Sequence, residues 1–569
     1  MSISKNLSRY KNCVGKIPAR QLNCDSSNAM DPQKLQAKNV IISQWNLVNQ
    51  LKTTLSKFTN EKTVENALNQ EFTKFLQRIQ PTINGIDLTK YFNALSLPIF
   101  KNSEQISETT VAKNSVKEMK KVVPKWKENS VTTKESVASR THQILDLLAS
   151  AKSHQTILNR TEALNAHLNK YPEAKHFAVK SNAIPLLLKI KTGNANNDTI
   201  SGAVNETLAL LGYAGPVSGK GVRILSIDGG GVRGILVIEM LKKLEELTGK
   251  RISEMFDLIC GVSTGAIIAS LVGVKRYTLD EISEIYKNLS TQIFTQSALK
   301  GTSSLVWSHS YYDTARWEKL LQEQIGNQTL ISTARSSHCP RLCVLSAVVN
   351  QSRLSAYVFR NYSLPCRVQS QYLGSHKHLI WEAVRASAAA PTYFEEFKLE
   401  NMLHQDGGIL FNNPTAVAIH EARLLWPEAP IQCVLSFGTG RTIPLPVDPN
   451  TQKAVRNSSW KSKFYAIIES ATDTEGVHTM LSDLLPPSIY YRFNPYLTEM
   501  LDIAEIDPKK VEQLLRDAVM YLRRNEDKFH EAARVLLQEK SLSQKAIDWL
   551  SLQQEIRGFR RVPQTLLTA

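Results

Sequence analysis

At 569 residues the chain is far beyond a small stapled scaffold and has room for several domains of roughly 150 residues around a large buried core. Hydrophobic residues make up 42% and charged residues 21%, with 25 Gly and 22 Pro, which excludes a wholly disordered, collagen-like or disulfide-dense chain. Net charge is +17 and concentrated towards the N-terminus: 30 Lys and Arg against 16 Asp and Glu up to Lys220 leave +14, and 39 against 36 beyond it leave +3.

Residues 1–135 are polar and rich in Asn, Ser and Lys, and are expected to be a largely disordered basic region with a few helices such as Val40 to Phe58. Lys5, Arg9, Lys11, Lys16 and Arg20 precede the first acid, Asp25, a composition that suits a mitochondrial transit segment and equally an ordinary basic tail. The densest cations are Lys113, Lys117, Lys120, Lys121, Lys125 and Lys127, with Val122, Val123 and Trp126 among them. Such a segment suits an anionic lipid surface or RNA, or serves as a solvated linker.

Over 136–218 the apolar period becomes helical, with Ile144, Leu147, Leu148 and Ala151 on one expected stripe and Ile157, Leu164 and Leu168 on another. The run from Ser181 to Ile190, followed by Asn194 to Thr199 and a helix through Leu208 to Leu211, resembles one armadillo repeat. Stacking needs about three repeats to stand alone, so this is expected to be a short platform covered by the next domain, with a face for a protein partner.

At 219–445 short β-rich runs alternate with helices, the pattern of an α/β domain. The expected strands are Val222 to Ile227, Phe256 to Cys260, Leu342 to Val349, Ala356 to Phe359 and Cys433 to Phe437. Residues 446–569 read as a helical C-terminal region, with amphipathic stretches near Pro508 to Arg523 and Glu526 to Gln538. The longest apolar run, Cys260 to Val274, falls short of the ~18 residues of a membrane span and contains Ser263 and Thr264. Cys13, Cys24, Cys260, Cys339, Cys343, Cys366 and Cys433 form no C-x-x-C pair and are odd in number, which fits a reducing compartment rather than secretion. The C-terminal Leu-Leu-Thr-Ala carries no peroxisomal or retention address.

The first expected strand runs into Asp228-Gly229-Gly230-Gly231-Val232-Arg233-Gly234 and then an amphipathic helix. Side-chain-free backbone at a helix N-terminus can hold a bound anion or a developing oxyanion. Gly229, Gly231 and Gly234 also satisfy G-x-G-x-x-G, but a dinucleotide site wants an acid at the end of the second strand, and Asp257 lies near its start. Gly215 to Gly221 is one residue short of a phosphate loop and has Gly221 where Ser or Thr would meet magnesium. A nucleotide is therefore not expected.

The second strand leads into Gly261-Val262-Ser263-Thr264-Gly265 and the apolar run Ala266 to Val272. This is G-x-S-x-G in strand–turn–helix context: small residues at Gly261 and Gly265 permit a sharp turn that exposes the hydroxyl. A serine nucleophile needs a base. Asp406, before Gly407-Gly408, is the candidate; His404 or His309 would make a triad instead. His420-Glu421 and His530-Glu531 lack the second histidine of H-E-x-x-H and are expected on helix surfaces, so no metal site is expected.

Asp228 to Gly234, Gly261 to Gly265 and Asp406 to Gly408, in this order, resemble the three signatures of patatin-like phospholipases, and Arg385 to Phe394 resembles the family's stretch before its catalytic Asp. The run Ile224 to Gly273, the helical lead-in and Tyr490 to Pro495 look most like its calcium-independent phospholipase A2 branch. The resemblance covers roughly Arg140 to the C-terminus. It implies a patatin-type α/β core with a nucleophile elbow, preceded by armadillo-like helices and followed by a helical region. It further implies a Ser263–Asp406 dyad, an oxyanion hole at Gly229, Gly230 and Gly231, no cofactor or calcium, and hydrolysis of glycerophospholipids to lysophospholipid and fatty acid. Arg233 is expected either to meet the lipid phosphate or to brace the loop. The alternatives are a neutral-lipid lipase or transacylase and, in another class, a lipid-surface interaction protein with a vestigial site. The expected partner is a phospholipid membrane surface rather than nucleic acid. The expected place is intracellular and peripheral, on mitochondrial membranes first, with endoplasmic reticulum or peroxisome as alternatives.

Overall fold

The computed structural model describes residues 133–295, 312–441, 474–499 and 501–559. The N-terminal cation cluster, the helix expected over Val40 to Phe58 and His309 lie outside them. The described residues fall within one unit, Glu118–Ala569.

Its centre is a nine-stranded sheet formed by β1 (Val222–Ile227), β2 (Leu258–Val262), β3 (Arg341–Val348), β4 (Ser355–Arg360), β5 (Leu373–Ser375), β6 (Phe397–Leu399), β7 (Met402–Asp406), β8 (Ile431–Phe437) and β9 (Tyr490–Phe493). The main order is β5-β4-β3-β2-β1-β8-β9, and β3, β2, β1, β8 and β9 run parallel. Such strands are covered on both faces and are apolar almost throughout. Leu225, Ile227 and Ile259 pack with the helices Gly234–Thr248, Thr264–Ser270 and Ile380–Ser387, while Ile224, Leu258 and Val262 pack with the helix Thr415–Leu425 on the other face.

All five expected strands are present, with the second displaced to Leu258–Val262. Asp257 is withdrawn from it because its carboxylate takes the Arg223 N–H and guanidinium, at 2.9 and 3.0 Å. The region beyond 446 is not purely helical: β9 extends the sheet beside β8, pairing Val434↔Tyr490 through Phe437↔Phe493. Its run Tyr490 to Phe493 is too short to announce itself locally, and the ladder with β8 decides its state.

Among the described residues, five helices lie ahead of the sheet, Lys134–Ala149, His154–Lys170, Ala174–Lys180, Ala183–Gly193 and Asp198–Leu210. Thr133, Ser153 and Asn197 cap three of them by accepting backbone N–H groups three residues on. Their shared core contains Val137, Ile144, Leu148, Leu164, Leu187 and Val204. Leu147, expected on the inward stripe, is 45% exposed because the first helix turns Thr141 and Leu145 inward instead. Arg335 ties this layer to the sheet domain through Glu206 and Glu162, at 2.5 and 2.8 Å. Glu421, expected on a helix surface, is instead buried and bidentate with Arg360 at 2.7 Å. Among the described residues no helix is long and apolar enough to cross a membrane.

Candidate active site

Three strands meet where β2 ends. The β2–β3 ladder stops at Val262↔Leu345, and on the same edge of β3 the antiparallel β7 begins at Ser346↔Asp406. The residue after Val262 and the last residue of β7 are therefore brought head to head, although they lie far apart in sequence. The Ser263 hydroxyl donates to Asp406 Oδ2 at 2.6 Å, a charge-assisted distance.

Ser263 has φ +55° and ψ −122°, a strained conformation for a residue with a side chain, and the helix Thr264–Ser270 starts directly after it. The turn closes only because Gly261 lacks a Cβ, which would stand 2.3 Å from the Gly265 carbonyl oxygen. Ser263 is only partly buried, whereas Asp406 is buried. Burial pushes the Asp406 carboxyl up to about 6, opposed by the Ser263 hydroxyl and by the Gly408 N–H, which donates to Oδ1 at 2.7 Å.

The glycine loop leaves the end of β1 beside this pair: a Cβ on Gly229 would lie 3.1 Å from that of Ser263. Gly229 itself is engaged, its N–H donating to the Asn412 carbonyl at 3.3 Å and its carbonyl accepting the Thr439 hydroxyl at 2.6 Å. The N–H groups of Gly230 and Gly231 make no hydrogen bond to any described residue. The expected three-glycine oxyanion donor set thus narrows to two, because Asn412 already takes the first N–H. Gly231 has φ +58°, and its carbonyl accepts the Tyr286 hydroxyl, which also meets the Thr264 hydroxyl and so joins loop to elbow. Arg233 is 8% exposed and its Nε donates to the Gly230 carbonyl at 3.2 Å, a brace on the loop.

Asp228 anchors the loop from below. Its Oδ2 accepts Arg492 Nη2 at 2.6 Å, with each side chain 2% exposed, and Arg492 Nη1 reaches the Ser436 hydroxyl at 2.9 Å. Burial lifts the Asp228 carboxyl to about 6, and the Arg492 guanidinium keeps it from rising further. His404 is fully buried, with Nδ1 on the Ser346 hydroxyl at 2.8 Å and Tyr357 and Phe359 against its ring. Burial drives its pKa down to about 4, and it bonds neither Ser263 nor Asp406. Nothing in their local sequence gives Arg492, Thr439, Tyr286, Asn412 or Ser387 a role. Arg492 and Ser387 do lie in segments singled out by resemblance, the only signal that could have found them.

Residues 225–419 match the family model of patatin-like phospholipases. Calcium-independent phospholipase A2-gamma of Oryctolagus cuniculus is 43% identical over 451 residues, 79% of this chain and 56% of that protein. Its Homo sapiens counterpart is 42% identical over the same share of this chain and 57% of its own length. The chain therefore spans a little over half the length of these curated relatives. Among solved structures, human GIVD cytosolic phospholipase A2 aligns at 12% identity with a TM-score of 0.29, covering 56% of this chain and 60% of that one. The matched residues take in the second half of β1 and all of β2 to β7 of the mixed α/β sheet described above, with helices between them.

Proposed function

We propose that this chain is a calcium-independent phospholipase that hydrolyses fatty-acyl esters of glycerophospholipids to lysophospholipid and free fatty acid. The observation that carries the reading is the 2.6 Å bond from a strained, partly exposed serine to a buried carboxylate, beside two unpaired loop N–H groups. Ser263 Oγ attacks the ester carbonyl while Asp406 takes its proton. The Gly230 and Gly231 N–H groups receive the oxyanion, and the intermediate collapses as Asp406 returns the proton to the leaving lysolipid oxygen. Water, deprotonated by Asp406, then releases the fatty acid and restores Ser263. With His404 Nδ1 on Ser346 and neither ring nitrogen bonded to Ser263 or Asp406, a dyad suits the site better than a triad. The names of the relatives, calcium-independent phospholipases A2, support the substrate class and the absence of a calcium requirement. Labelling of Ser263 by a fluorophosphonate probe, lost in Ser263→Ala, tests the assignment; turnover that persists in full excess of a calcium chelator tests the metal independence.

A base that must be ionised sets the acid limb of the rate. With the Asp406 carboxyl near pH 6, kcat/KM should hold at neutral pH and fall about tenfold per unit below pH 6. A limb near pH 4 would mean that the carboxyl is not held up by burial in the working enzyme.

A side chain at Gly231 must resist φ +58° and would place its Cβ 2.2 Å from the Ile503 carbonyl oxygen. Gly231→Ala should therefore swing the N–H donors away and lower kcat by roughly 10²–10³ per lost donor, with KM little changed. A raised KM at unchanged kcat would make the loop a ground-state binding element.

Of the two roles expected for Arg233, the brace on the loop is the one its burial and its bond to the Gly230 carbonyl favour over a contact to the lipid phosphate. The five leading helices, read as an armadillo-like segment, offer the face for a protein partner. A peripheral place on intracellular membranes, mitochondrial first, fits the basic excess before Lys220.

A further inference from the structure

We propose that Ser387 is the positioning residue of the Ser263–Asp406 pair, and that the short segment Ser387–Ala389 sets the separation of the two side chains. The proposal rests on the phospholipase reading but on different atoms. Ser387 ends the helix Ile380–Ser387 and is fully buried. Its hydroxyl donates to the Leu345 carbonyl at 2.5 Å and accepts the backbone N–H of Ser263 at 2.9 Å. Its carbonyl accepts the Gly407 N–H at 3.2 Å, and the Ala389 carbonyl accepts the Asp406 N–H at 3.0 Å. Nucleophile and base thus hang from one three-residue stretch of chain, the first through the Ser387 hydroxyl and the second through backbone carbonyls.

The hydroxyl has one proton. Because that proton is committed to Leu345, the lone pairs are left for the Ser263 amide, which fixes the direction of the bond. Leu345 is the last β3 residue paired with β2, and Ser346 the first paired with β7, so Ser387 spans the junction of the two ladders. At φ +55° the nucleophile holds a strained backbone, and an accepted N–H is what a tertiary contact can offer to keep it there. Without Ser387 Oγ that N–H would be left without its buried acceptor. The helix cannot slide to compensate, because buried Arg385 pins it to Glu318 at 3.1 Å and to the Glu395 carbonyl at 2.7 Å. Ser387 reaches the chemistry through Ser263, so its role is positioning.

The test uses the full chain and a long-chain alkyl fluorophosphonate, measuring separately the rate constant of Ser263 labelling and the fraction of molecules that label. Ser387→Ala should lower the labelling rate constant and kcat together by about 10- to 100-fold, with KM near its wild-type value. Ser387→Thr, which restores the hydroxyl, should recover at least part of both. A purely structural serine would lower the labelled fraction and leave the rate constant of the remaining molecules alone, and that result overturns the proposal. So does a Ser387→Ala rate constant within about twofold of wild type. Should the alanine variant not fold, Ser387→Cys fills nearly the same volume with a weaker acceptor and must show the same slowed labelling. A wild-type chain unlabelled at Ser263 would overturn the phospholipase reading and this proposal with it. A labelled wild type with an equally fast Ser387→Ala overturns the positioning role alone.

Discussion

Asp406→Asn should abolish ester hydrolysis, by roughly 10⁴-fold or more, while leaving the chain folded and no less stable at neutral pH. The amide can keep both native contacts: its oxygen accepts the Gly408 N–H, and its NH₂ donates to Ser263 Oγ where the carboxylate accepted. The Ser263 hydroxyl proton then has no base to go to, so the geometry survives and the chemistry does not. The stability half of the expectation follows from the raised carboxyl. A group with a folded pKa of about 6 and an unfolded value of 3.8 favours the folded state when protonated. That contribution is complete below about pH 4 and is lost as pH rises through 6, so at pH 7 the ionised Asp406 weighs on the fold and a neutral amide relieves it. The relief should be of the order of 3 kcal/mol at pH 7 and vanish below pH 4. Ser263→Ala should be as inactive, with little change in melting. Denaturant unfolding at two pH values, beside turnover, checks both halves. A folded Asp406→Asn enzyme with substantial turnover would remove the carboxylate from the mechanism, and a His404→Ala variant that is equally inactive yet folded would bring the histidine back.

The parts of the site written into the sequence are those made by contiguous residues. Gly261 to Gly265 after an apolar strand can only be a tight turn into a buried helix, and a run of three glycines between a strand and a helix can only be a backbone-lined loop. Their local conformations decide them, so they were legible. What was not legible is what depends on pairing at a distance. β7 carries His404 and Asp406 but has no apolar alternation to mark it; its register on β3, with Ser346 opposite Asp406, exists only once the sheet is formed. The same holds for β9, and for Leu147, which shares a helical period with buried neighbours yet faces outward. His404 shows what sequence could only leave open: a histidine two residues from the candidate base allows a triad as the alternative to the dyad, and in the fold it is a core side chain bonded to a strand serine.

Arg492→Met should be the most damaging single change to stability, at roughly 3–5 kcal/mol, although Arg492 lies nowhere near Ser263 in sequence. Removing the guanidinium leaves Asp228 buried without its partner at the root of the glycine loop; the carboxyl must then either stay charged in a dry site or take up a proton. Either way the tie from Asp228 to β9 is gone. Asp228→Asn should cost less, because Glu475 Oε1 stands 3.5 Å from Arg492 and still balances part of its charge. The native pair is itself incomplete: Asp228 Oδ1 and Arg492 Nε are buried with no hydrogen-bond partner among the described residues. A pair so poorly satisfied adds little net stability, and its value lies in fixing the loop against β8 and β9, where Gly230 and Gly231 must stand. In a double-mutant cycle, Asp228→Asn with Arg492→Met should therefore recover much of the stability lost by Arg492→Met alone and none of the turnover. Urea unfolding of the three variants, with fluorophosphonate labelling rates alongside, measures both quantities. An Arg492→Met chain within about 1 kcal/mol of wild type would show that the carboxyl is neutral in the native protein and that the contact is an ordinary hydrogen bond rather than an ion pair.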